Sequence, residues 1–301
     1  MFLAVALGIF TGLAISCQSP TNVALARSVG AMQATLTNFV VGGVISFLLM
    51  LAFGTGNFAG ALSVPAWQLI GGFYGALLVV CVVFVTPKLG VALMMVSLML
   101  GELVGGVIVD AFGFAGAAVV PATPLRIAGC VVAGVGILAV FRGTAGSGRP
   151  TCKQLVYLGI PFASAAFASL QPPTNSALAA NIGSLEATCV NFTGGILALL
   201  VVTLVFNRGK LNRYTGTKPW HLTGGFYGAA CIASQVAAAS TLGVSLWNVC
   251  TMLGQLAGSM VIDAAGLFAT KKRPLNVWRV GGALLMLAGI MMVTYAKSAG
   301  V

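Results

Sequence analysis

The stretch Gly71-Gly-Phe-Tyr-Gly75 occurs a second time, letter for letter, as Gly224-Gly-Phe-Tyr-Gly228, which lies 153 positions further along the chain. The same separation relates other identical pairs, namely Asn22 and Asn175, Asn38 and Asn191, Asp110 and Asp263, and Arg126 and Arg279. One separation without a gap covers nearly the whole of each half. The sequence therefore predicts a duplication, with a first repeat over residues 1–142, a junction over 143–153 and a second repeat over 154–301.

The composition places this duplicated chain in a membrane. Apolar residues make up 59% of the 301 residues and charged residues only 6%, whereas about a quarter of a typical soluble domain is charged. This excludes soluble enzymes, disordered proteins and secreted disulfide scaffolds. The net charge of +11 predicts contact with lipid headgroups, and not with nucleic acid, because basic residues in membrane proteins mark topology.

Long charge-free runs, such as residues 28–87 and 219–262, supply the membrane-crossing segments. A bilayer core requires roughly 20 apolar residues per helix, and these runs are continuous instead of alternating as barrel strands do. The sequence therefore predicts an all-α membrane protein with five helices in each half. The ten predicted segments are 2–19, 32–53, 67–86, 91–112, 125–141, 154–171, 186–206, 220–239, 244–265 and 278–296.

The odd number of helices per half predicts an inverted-topology repeat, because the second copy must enter the membrane from the opposite side. Cytoplasmic loops collect Lys and Arg, and with ten helices twelve basic residues fall on one side while only Lys297 falls on the other. The twelve are Arg27, Lys88, Arg142, Arg149, Lys153, Arg208, Lys210, Arg213, Lys218, Lys271, Lys272 and Arg273. We therefore expect a cytoplasmic junction and two external termini.

Two acidic residues, Asp110 and Asp263, end the fourth helix of each repeat, and an arginine follows each of them sixteen residues later, at Arg126 and Arg279. A carboxylate at a helix C-terminus opposes the helix dipole, so each needs a partner. Intramembrane charges usually pair. The spacing favours two structural ion pairs that clamp helical hairpins over a role in transport.

The other two acidic residues, Glu102 and Glu186, have amides at the equivalent positions of the other repeat, Gln255 and Gln33. An intramembrane carboxylate is a functional candidate by default, so both are candidates for proton or ion coupling. For Glu102, in mid-helix, a hydrogen-bonded structural role is the open alternative. For Glu186 the structural alternative is favoured, since an acidic group is stabilising in the first turn of a helix.

Polar side chains recur on one face of the second helix in each repeat. The candidates for a substrate pathway are Thr35 and Asn38, Thr188 and Asn191, Asn22 and Asn175, and the amides Gln33 and Gln255. Spacing at i and i+3 puts such residues on one helical face, where they either bond between helices or line a cavity. Asn22 and Asn175 follow prolines, which predict a helix-ending turn at each position.

Motifs for chemical catalysis are missing from the sequence. There is no nucleophile–base pair and no cluster with metal-ligand spacing, and the glycine-rich stretch 143–148 lacks the Lys and Ser/Thr of a phosphate-binding loop. We therefore expect no enzymatic activity, no cofactor and no metal.

The motifs together resemble a known family. They are Gln171-Pro-Pro-Thr-Asn175, Gly254-Gln255-Leu256 and Ile262-Asp263-Ala-Ala-Gly266, in an order that both halves share. This looks like the YdcZ-like five-helix family of the drug/metabolite transporter superfamily, in a fused two-copy form. The resemblance implies a multi-pass protein of the bacterial inner membrane that exports small molecules. Gly101-Glu102 departs from the Gly-Gln of the family.

The sequence thus predicts a secondary transporter that moves a small-molecule substrate by alternating access, coupled to protons or another ion, and that works as a fused pseudo-dimer without another subunit. Two alternatives remain open. One is a multidrug exporter that attracts lipophilic cations with a carboxylate in its cavity. The other is a membrane scaffold or sensor, which would need no accessible polar cavity.

Overall fold

The computed structural model of the protein describes residues 1–89, 91–144, 152–206, 211–269 and 276–299. Within these ranges the regular structure is helical throughout. The α-helices are α1 (Phe2–Val29), α2 (Ala31–Phe53), α3 (Ala66–Leu69), α4 (Gly71–Leu89), α5 (Val91–Phe112), α6 (Pro124–Thr144), α7 (Cys152–Ala168), α8 (Gln171–Ile182), α9 (Ser184–Phe206), α10 (Gly224–Leu242), α11 (Val244–Ala265) and α12 (Val277–Ala299). Short 3₁₀ turns cover Asn57–Leu62, Phe114–Gly116, Pro219–Thr223 and Leu267–Ala269.

Part of the predicted topology falls outside the described residues. This applies to most of the predicted junction, residues 145–151, and to the basic residues Arg149, Arg208, Lys210, Lys271, Lys272 and Arg273. The side chains of Lys153 and Lys297 also lie outside the description.

The helices repeat along the chain as the sequence does. The bounds of α2, α4 and α5, advanced by 153 positions, are the bounds of α9, α10 and α11. The predicted segments 91–112 and 244–265 agree with α5 and α11 to the residue. Equal local sequences thus form equal local structure in both halves.

The prediction that the first helix of the first repeat ends at Pro20 is wrong. Helix α1 continues through Pro20 to Val29, so Asn22 lies inside a helix. In the second repeat the interruption comes earlier, at residues 169–170, and Pro172 and Pro173 stand in the first turn of α8. Proline is tolerated there because the N–H that it lacks would have no partner in the first turn of a helix.

Glycines end these helices instead of prolines. Gly30 follows α1 with φ 86°, and Gly183 follows α8 with φ 103°. Both are left-handed conformations that residues with a Cβ rarely adopt. The N–H of each glycine donates to a carbonyl four residues earlier, at Ala26 and Ala179, which closes the last turn.

Six helical stretches are long and apolar enough to cross a membrane, counted over the described residues. They are Phe2–Val29, Ala31–Phe53, Leu93–Phe112, Pro124–Arg142, Ser184–Phe206 and Val277–Ala296. Helix α11 does not reach this threshold, and it carries the polar residues Ser245, Asn248 and Gln255. The six stretches define a helical membrane protein, whereas the ten predicted spans stay a prediction.

The two halves interleave instead of lying side by side. Helix α1 packs on α10 and α11 of the other half, and α7 packs on α4 and α5. The equivalent helices α2 and α9 pack on each other, as do α6 and α12. Neither half forms a separate core, because each first helix is buried against the other repeat.

Glycines permit the closest of these approaches. A methyl group on Gly12 would overlap the carbonyl oxygen of Thr251, and one on Gly254 would overlap that of Ile9. These contacts join α1 to α11. The equivalent contact of the other half joins α5 to α7, where Gly101 lies against the carbonyl oxygen of Phe162. Small residues of this kind let membrane helices meet backbone to backbone.

Helices α6 and α12 make a reciprocal glycine contact. A methyl group on Gly129 would lie 2.9 Å from the carbonyl oxygen of Gly289, and one on Gly136 would lie 2.6 Å from that of Gly282. Gly282 and Gly289 are the counterparts of Gly129 and Gly136. Higher residue numbers on α6 therefore meet lower numbers on α12, so the two equivalent helices run antiparallel.

Candidate functional site

Two phenylalanines pack against each other between the two halves. Phe39 of α2 and its counterpart Phe192 of α9 have ring centroids 5.7 Å apart and an interplanar angle of 68°. This is an edge-to-face geometry, which aromatic pairs prefer. Each ring lies on a glycine of the other half, Phe192 on Gly42 and Phe39 on Gly195. We call these two residues the central phenylalanine pair.

A group of amide side chains lies beside this pair on α1 and α2. The first amide cluster consists of Gln18, Asn22 and Asn38. Asn38 Nδ2 donates to Asn22 Oδ1 at 2.6 Å, and Gln18 Nε2 donates to the Gly224 carbonyl at 3.0 Å. A methyl group on Gly224 would lie 2.7 Å from Asn38 Oδ1. Glycine is therefore required where α10 begins.

The equivalent residues of the second repeat form a second amide cluster, with one addition. It consists of Gln171 and Asn175 on α8, Asn191 on α9 and Gln235 on α10. Gln171 Nε2 donates to Asn191 Oδ1, and Asn175 Nδ2 donates to Gln235 Oε1, both at 3.1 Å. Asn175 lies against Gly71, where α4 begins. The two clusters share three equivalent residues, but the hydrogen bonds among these residues differ.

Three buried amide atoms of the two clusters have no hydrogen-bond partner among the described residues. They are Asn38 Oδ1, Asn175 Oδ1 and Asn191 Nδ2, and all three side chains are at most 4% exposed. A buried polar group without a partner costs about 1–3 kcal/mol. Such atoms are expected where water or a polar ligand binds.

The sequence pattern predicted the asparagines of these clusters as pathway residues but not the glutamines. Gln18 and Gln171 begin a motif that recurs in both halves, as Gln18-Ser-Pro-Thr-Asn22 and Gln171-Pro-Pro-Thr-Asn175, and that recurrence was an available signal. Gln235 gave a weaker signal, since its counterpart in the first repeat is Val82.

The threonines predicted to line the pathway bind their own helices. Thr35 Oγ1 donates to the Ala31 carbonyl at 3.0 Å, and Thr188 Oγ1 donates to the Ser184 carbonyl at 2.8 Å. Both hydroxyls thus satisfy their donors locally. The structure does not join either threonine to an amide cluster through a side-chain hydrogen bond among the described residues.

Glu102 is half-buried in the middle of α5. Its carbonyl oxygen accepts hydrogen bonds from Asn248 Nδ2 at 2.8 Å and from Ser169 Oγ at 3.2 Å. Within the described part of the chain, no hydrogen bond or ion pair reaches its carboxylate. Gln255, the counterpart, is also half-buried. Glu102 therefore remains available for a proton or a cation.

Glu186 holds the loop that follows α2. Its Oε1 accepts from the N–H of Thr55 at 2.5 Å, from the Thr55 hydroxyl at 2.9 Å and from the N–H of Gly56 at 3.0 Å. Its counterpart Gln33 does the same for the loop after α9, through two hydrogen bonds with the backbone of Asn212 at 2.9 and 2.7 Å. Both residues are loop anchors.

We expect Glu186→Ala to loosen the loop after α2 without unfolding the helices. Hydrogen bonds to charged groups contribute roughly 1.5–3 kcal/mol, so amide hydrogen exchange at Thr55 and Gly56 should become at least about tenfold faster. Exchange measured by mass spectrometry on the purified protein checks this. As a matched control, Gln33→Ala should accelerate exchange at Asn212 and leave Thr55 unchanged. Unchanged protection at Thr55 in Glu186→Ala would contradict the anchor.

Asp110 and Arg126 form an ion pair and are both buried, with side chains 0% and 4% exposed. The carboxylate also accepts from the N–H groups of Val244 at 2.6 Å and Ser245 at 2.9 Å, the first two residues of α11. The Ser245 hydroxyl adds a bond of 2.7 Å. Asp110 therefore lies in the last turn of α5 and caps the N-terminus of a helix in the other half, where a negative charge is stabilising.

Asp263 and Arg279 form the equivalent ion pair in the second repeat, with 2.8 Å between Arg279 Nη2 and Asp263 Oδ2. This pair is less enclosed, because the Asp263 side chain is 25% exposed. The structure thus brings both predicted pairs together but places them in unequal surroundings.

A cleft of about 260 Å³ opens beside the second amide cluster. It lies between the loop after α5, helix α8 and the end of α10, and its lining includes Ala117, Pro173, Ser176 and Ser240. The lining carries no charged side chain. Pro173 separates this cleft, which we call the vestibule, from Asn175 two residues further along α8.

Among the described residues, no group of three or more His, Cys, Asp or Glu side chains could hold a metal ion. The polar groups that the fold gathers are amides, hydroxyls and one free carboxylate. These features define a helical membrane protein.

Comparison with known proteins assigns the family. The sequence model described as "Putative inner membrane exporter, YdcZ" matches the chain twice, over residues 3–139 and 156–292. The chain therefore belongs to this YdcZ family of the drug/metabolite transporter group and contains two copies of its unit. A solved structure described as "Crystal structure of protein" is similar, with a TM-score of 0.72 and 17% identity over 99% of both chains. No curated protein matches the chain.

Proposed function

We propose that the chain is a ten-helix secondary transporter that exports small molecules across the bacterial inner membrane by alternating access. The observation that carries this proposal is the pair of amide clusters, built from equivalent residues of the two halves on either side of the central phenylalanine pair. Alternating access uses one substrate site that opens to each side in turn, between two repeats of opposite orientation. Equivalent polar surfaces flanking an aromatic barrier suit that cycle.

The antiparallel packing of equivalent helices supports the inverted topology. Contacts of Gly129 with Gly289 and of Gly136 with Gly282 require α6 and α12 to run in opposite directions. A two-fold axis that relates antiparallel helices is perpendicular to them, and in a membrane protein such an axis lies in the membrane plane. Two halves related in this way cross the bilayer in opposite senses.

Contacts between helix ends support the same topology. With ten spans, the loops at Thr55 and at Gly183 to Glu186 lie on one side, and their contacts join them. The ends at Gln33 and Asn212 lie on the other side and also meet. This second side carries the basic residues of the positive-inside bias, so the junction at 143–153 is cytoplasmic and both termini are external.

The fused halves supply a complete transport unit in this proposal. Each first helix packs on the opposite repeat, so the chain needs no further subunit to bury these faces. The outward faces suit lipid, since large apolar side chains are exposed along α2, including Phe47, Leu48 and Leu51.

Glu102 is the residue that we assign to proton or ion coupling. It is half-buried in a helix that packs on both repeats, and its carboxylate has no partner among the described residues. Glu186, the second candidate, is committed to a loop through three hydrogen bonds to Oε1. The two Asp–Arg pairs are structural, since each charge is neutralised in place.

We expect Glu102→Gln to reduce net export at least about fivefold while leaving the protein folded. The amide keeps the shape of the side chain, as Gln255 does at the equivalent position, but it cannot release a proton. Coupling free energies of 1–3 kcal/mol correspond to a factor of roughly 5–150. The amount of exported compound that accumulates should therefore decrease by a factor in that range. Metabolites in the culture medium are compared between cells with wild type, Glu102→Gln and empty vector.

The double exchange Glu102→Gln with Gln255→Glu is the matched control, because it returns one carboxylate to the equivalent position. A compound enriched by wild type alone would identify a substrate. Equal enrichment by wild type and Glu102→Gln would end the coupling role of Glu102 and leave the exporter standing. If cells with wild type and cells with empty vector release the same metabolites, the proposed export function is contradicted.

A further inference from the structure

We propose that the two amide clusters bind small uncharged molecules that carry an amide-like edge, with adjacent donor and acceptor, on an aromatic or apolar body. The inference rests on the proposed function, since it names the substrate class of the same site. It follows from the charges that the interior lacks, from the amide atoms left free, and from the aromatic pair between them.

The interior of the described structure offers no free cation to an anionic substrate. The two arginines within it, Arg126 and Arg279, are each bound to an aspartate. Lys88 and Arg142 stand at the ends of α4 and α6 and lie over the rings of Tyr157 and Trp278. Arg27 stands at the end of α1. A phosphate or carboxylate moving between the clusters would have no counter-charge.

The free amide atoms are of both kinds. Asn38 Oδ1 and Asn175 Oδ1 accept hydrogen bonds, whereas Asn191 Nδ2 donates them, and each is buried without a partner among the described residues. A ligand with a carbonyl beside an N–H can satisfy a donor and an acceptor together. Primary amides, imides and nucleobase edges have that arrangement. A charged group satisfies only one kind.

An apolar surface adjoins the amides. The methyl position of Gly228 lies 3.0 Å from Gln18 Nε2 and 3.9 Å from Phe192 Cζ, so an amide and an aromatic ring meet at one point of α10. Asn38 and Phe39 are neighbours in sequence and stand together on α2. A ligand whose amide edge binds the first cluster would therefore place its apolar body beside Phe192.

The vestibule provides the approach. Its volume of about 260 Å³ admits a molecule with one ring, and its lining of Ala, Gly, Ser, Pro and Val is uncharged. It ends at Pro173, in the same helical turn as Asn175. The approach and the cluster thus favour the same neutral class of ligand.

Three matched probes test this class, namely benzamide, benzoate and benzamidine, which share one ring and differ in charge. The thermal unfolding midpoint of the purified full-length protein is measured with each probe, without any transport. We expect benzamide alone to raise the Tm, by about 2–4 °C at several times its Kd. The rise should vanish in Asn191→Leu and persist in Thr203→Val, whose buried hydroxyl has no partner among the described residues and corresponds to Met50.

A second variant keeps the test decisive if Asn191→Leu fails to fold. In Asn191→Asp one oxygen still accepts from Gln171, and the other replaces the free Nδ2 with a negatively charged acceptor. Preference should then move from benzamide to benzamidine. Stabilisation of wild type by benzoate, or by none of the probes, overturns the inference. Stabilisation by benzamidine overturns it in favour of the lipophilic-cation exporter.

The two proposals can fail separately. Benzamide binding that depends on Asn191, in a protein that exports nothing, would keep the ligand class and end the transport function. An exported anion in the culture medium would keep the transport function and end the ligand class.

Discussion

Replacing Asp110 with alanine is expected to lower the free energy of unfolding by about 3–5 kcal/mol, because removing one partner of a buried ion pair leaves the other charge buried without compensation. Arg126 would keep its bonds to the carbonyl of Val120 and the hydroxyl of Ser245 but lose its counter-charge. The first two N–H groups of α11 would lose their acceptor as well. Thermal unfolding of the purified protein in detergent, monitored by size-exclusion chromatography, measures this loss of stability.

Asp263→Ala is the matched control for this experiment. Its carboxylate is 25% exposed, and solvent screens an exposed pair, so the loss should be clearly smaller than at Asp110. Equal losses at the two positions would show that the cap on α11 contributes nothing beyond the ion pair. A negligible loss in Asp110→Ala would contradict the structural role.

Adding a single methyl group at Gly254 is expected to destabilise the protein by about 1–3 kcal/mol, the usual range for overpacking. The methyl group would overlap the carbonyl oxygen of Ile9, so α1 and α11 would have to separate. Because each of these helices belongs to a different repeat, the strain would fall on the contact that interleaves the halves. The Tm of Gly254→Ala in detergent gives the result.

Gly281→Ala supplies the opposite expectation in the same fold. No atom lies within 4 Å of a methyl group at that position of α12. Alanine is a better helix former than glycine by about 1 kcal/mol, so this variant should be unchanged or more stable. Destabilisation of both variants would mean that glycine acts through helix flexibility, and the close packing of α1 on α11 would not be the cause.

The sequence predicted most of the helical framework because its signals are local. Continuous apolar runs mark the helices, and the repeated separation of 153 residues confirms them pair by pair. The prolines misled the prediction at Pro20, since whether a proline ends a helix depends on its neighbours in the fold. The helices end instead at Gly30 and Gly183, in a backbone conformation with positive φ. A glycine in the sequence permits this conformation but does not predict it.

The site was less predictable because its contacts cross between the halves. The bonds of Gln18 to Gly224 and of Asp110 to Ser245 join residues far apart in sequence. The sixteen-residue spacing did predict the pairing of Asp110 with Arg126, since both belong to one hairpin. No local pattern indicated that the same carboxylate caps α11, or that Glu186 holds the loop at Thr55.

The unequal pairs, Glu186 with Gln33 and Glu102 with Gln255, carry an evolutionary consequence. In a dimer of two identical chains, each position occurs twice, so a carboxylate that suits one copy is imposed on the other. Fusion into one gene removes that constraint. One copy of the loop anchor is an amide while the other is an acid, and the same difference separates the two mid-helix positions. A dimer of identical chains must use the same residue at both copies of a position, whereas this chain has a different residue at each copy of these two positions.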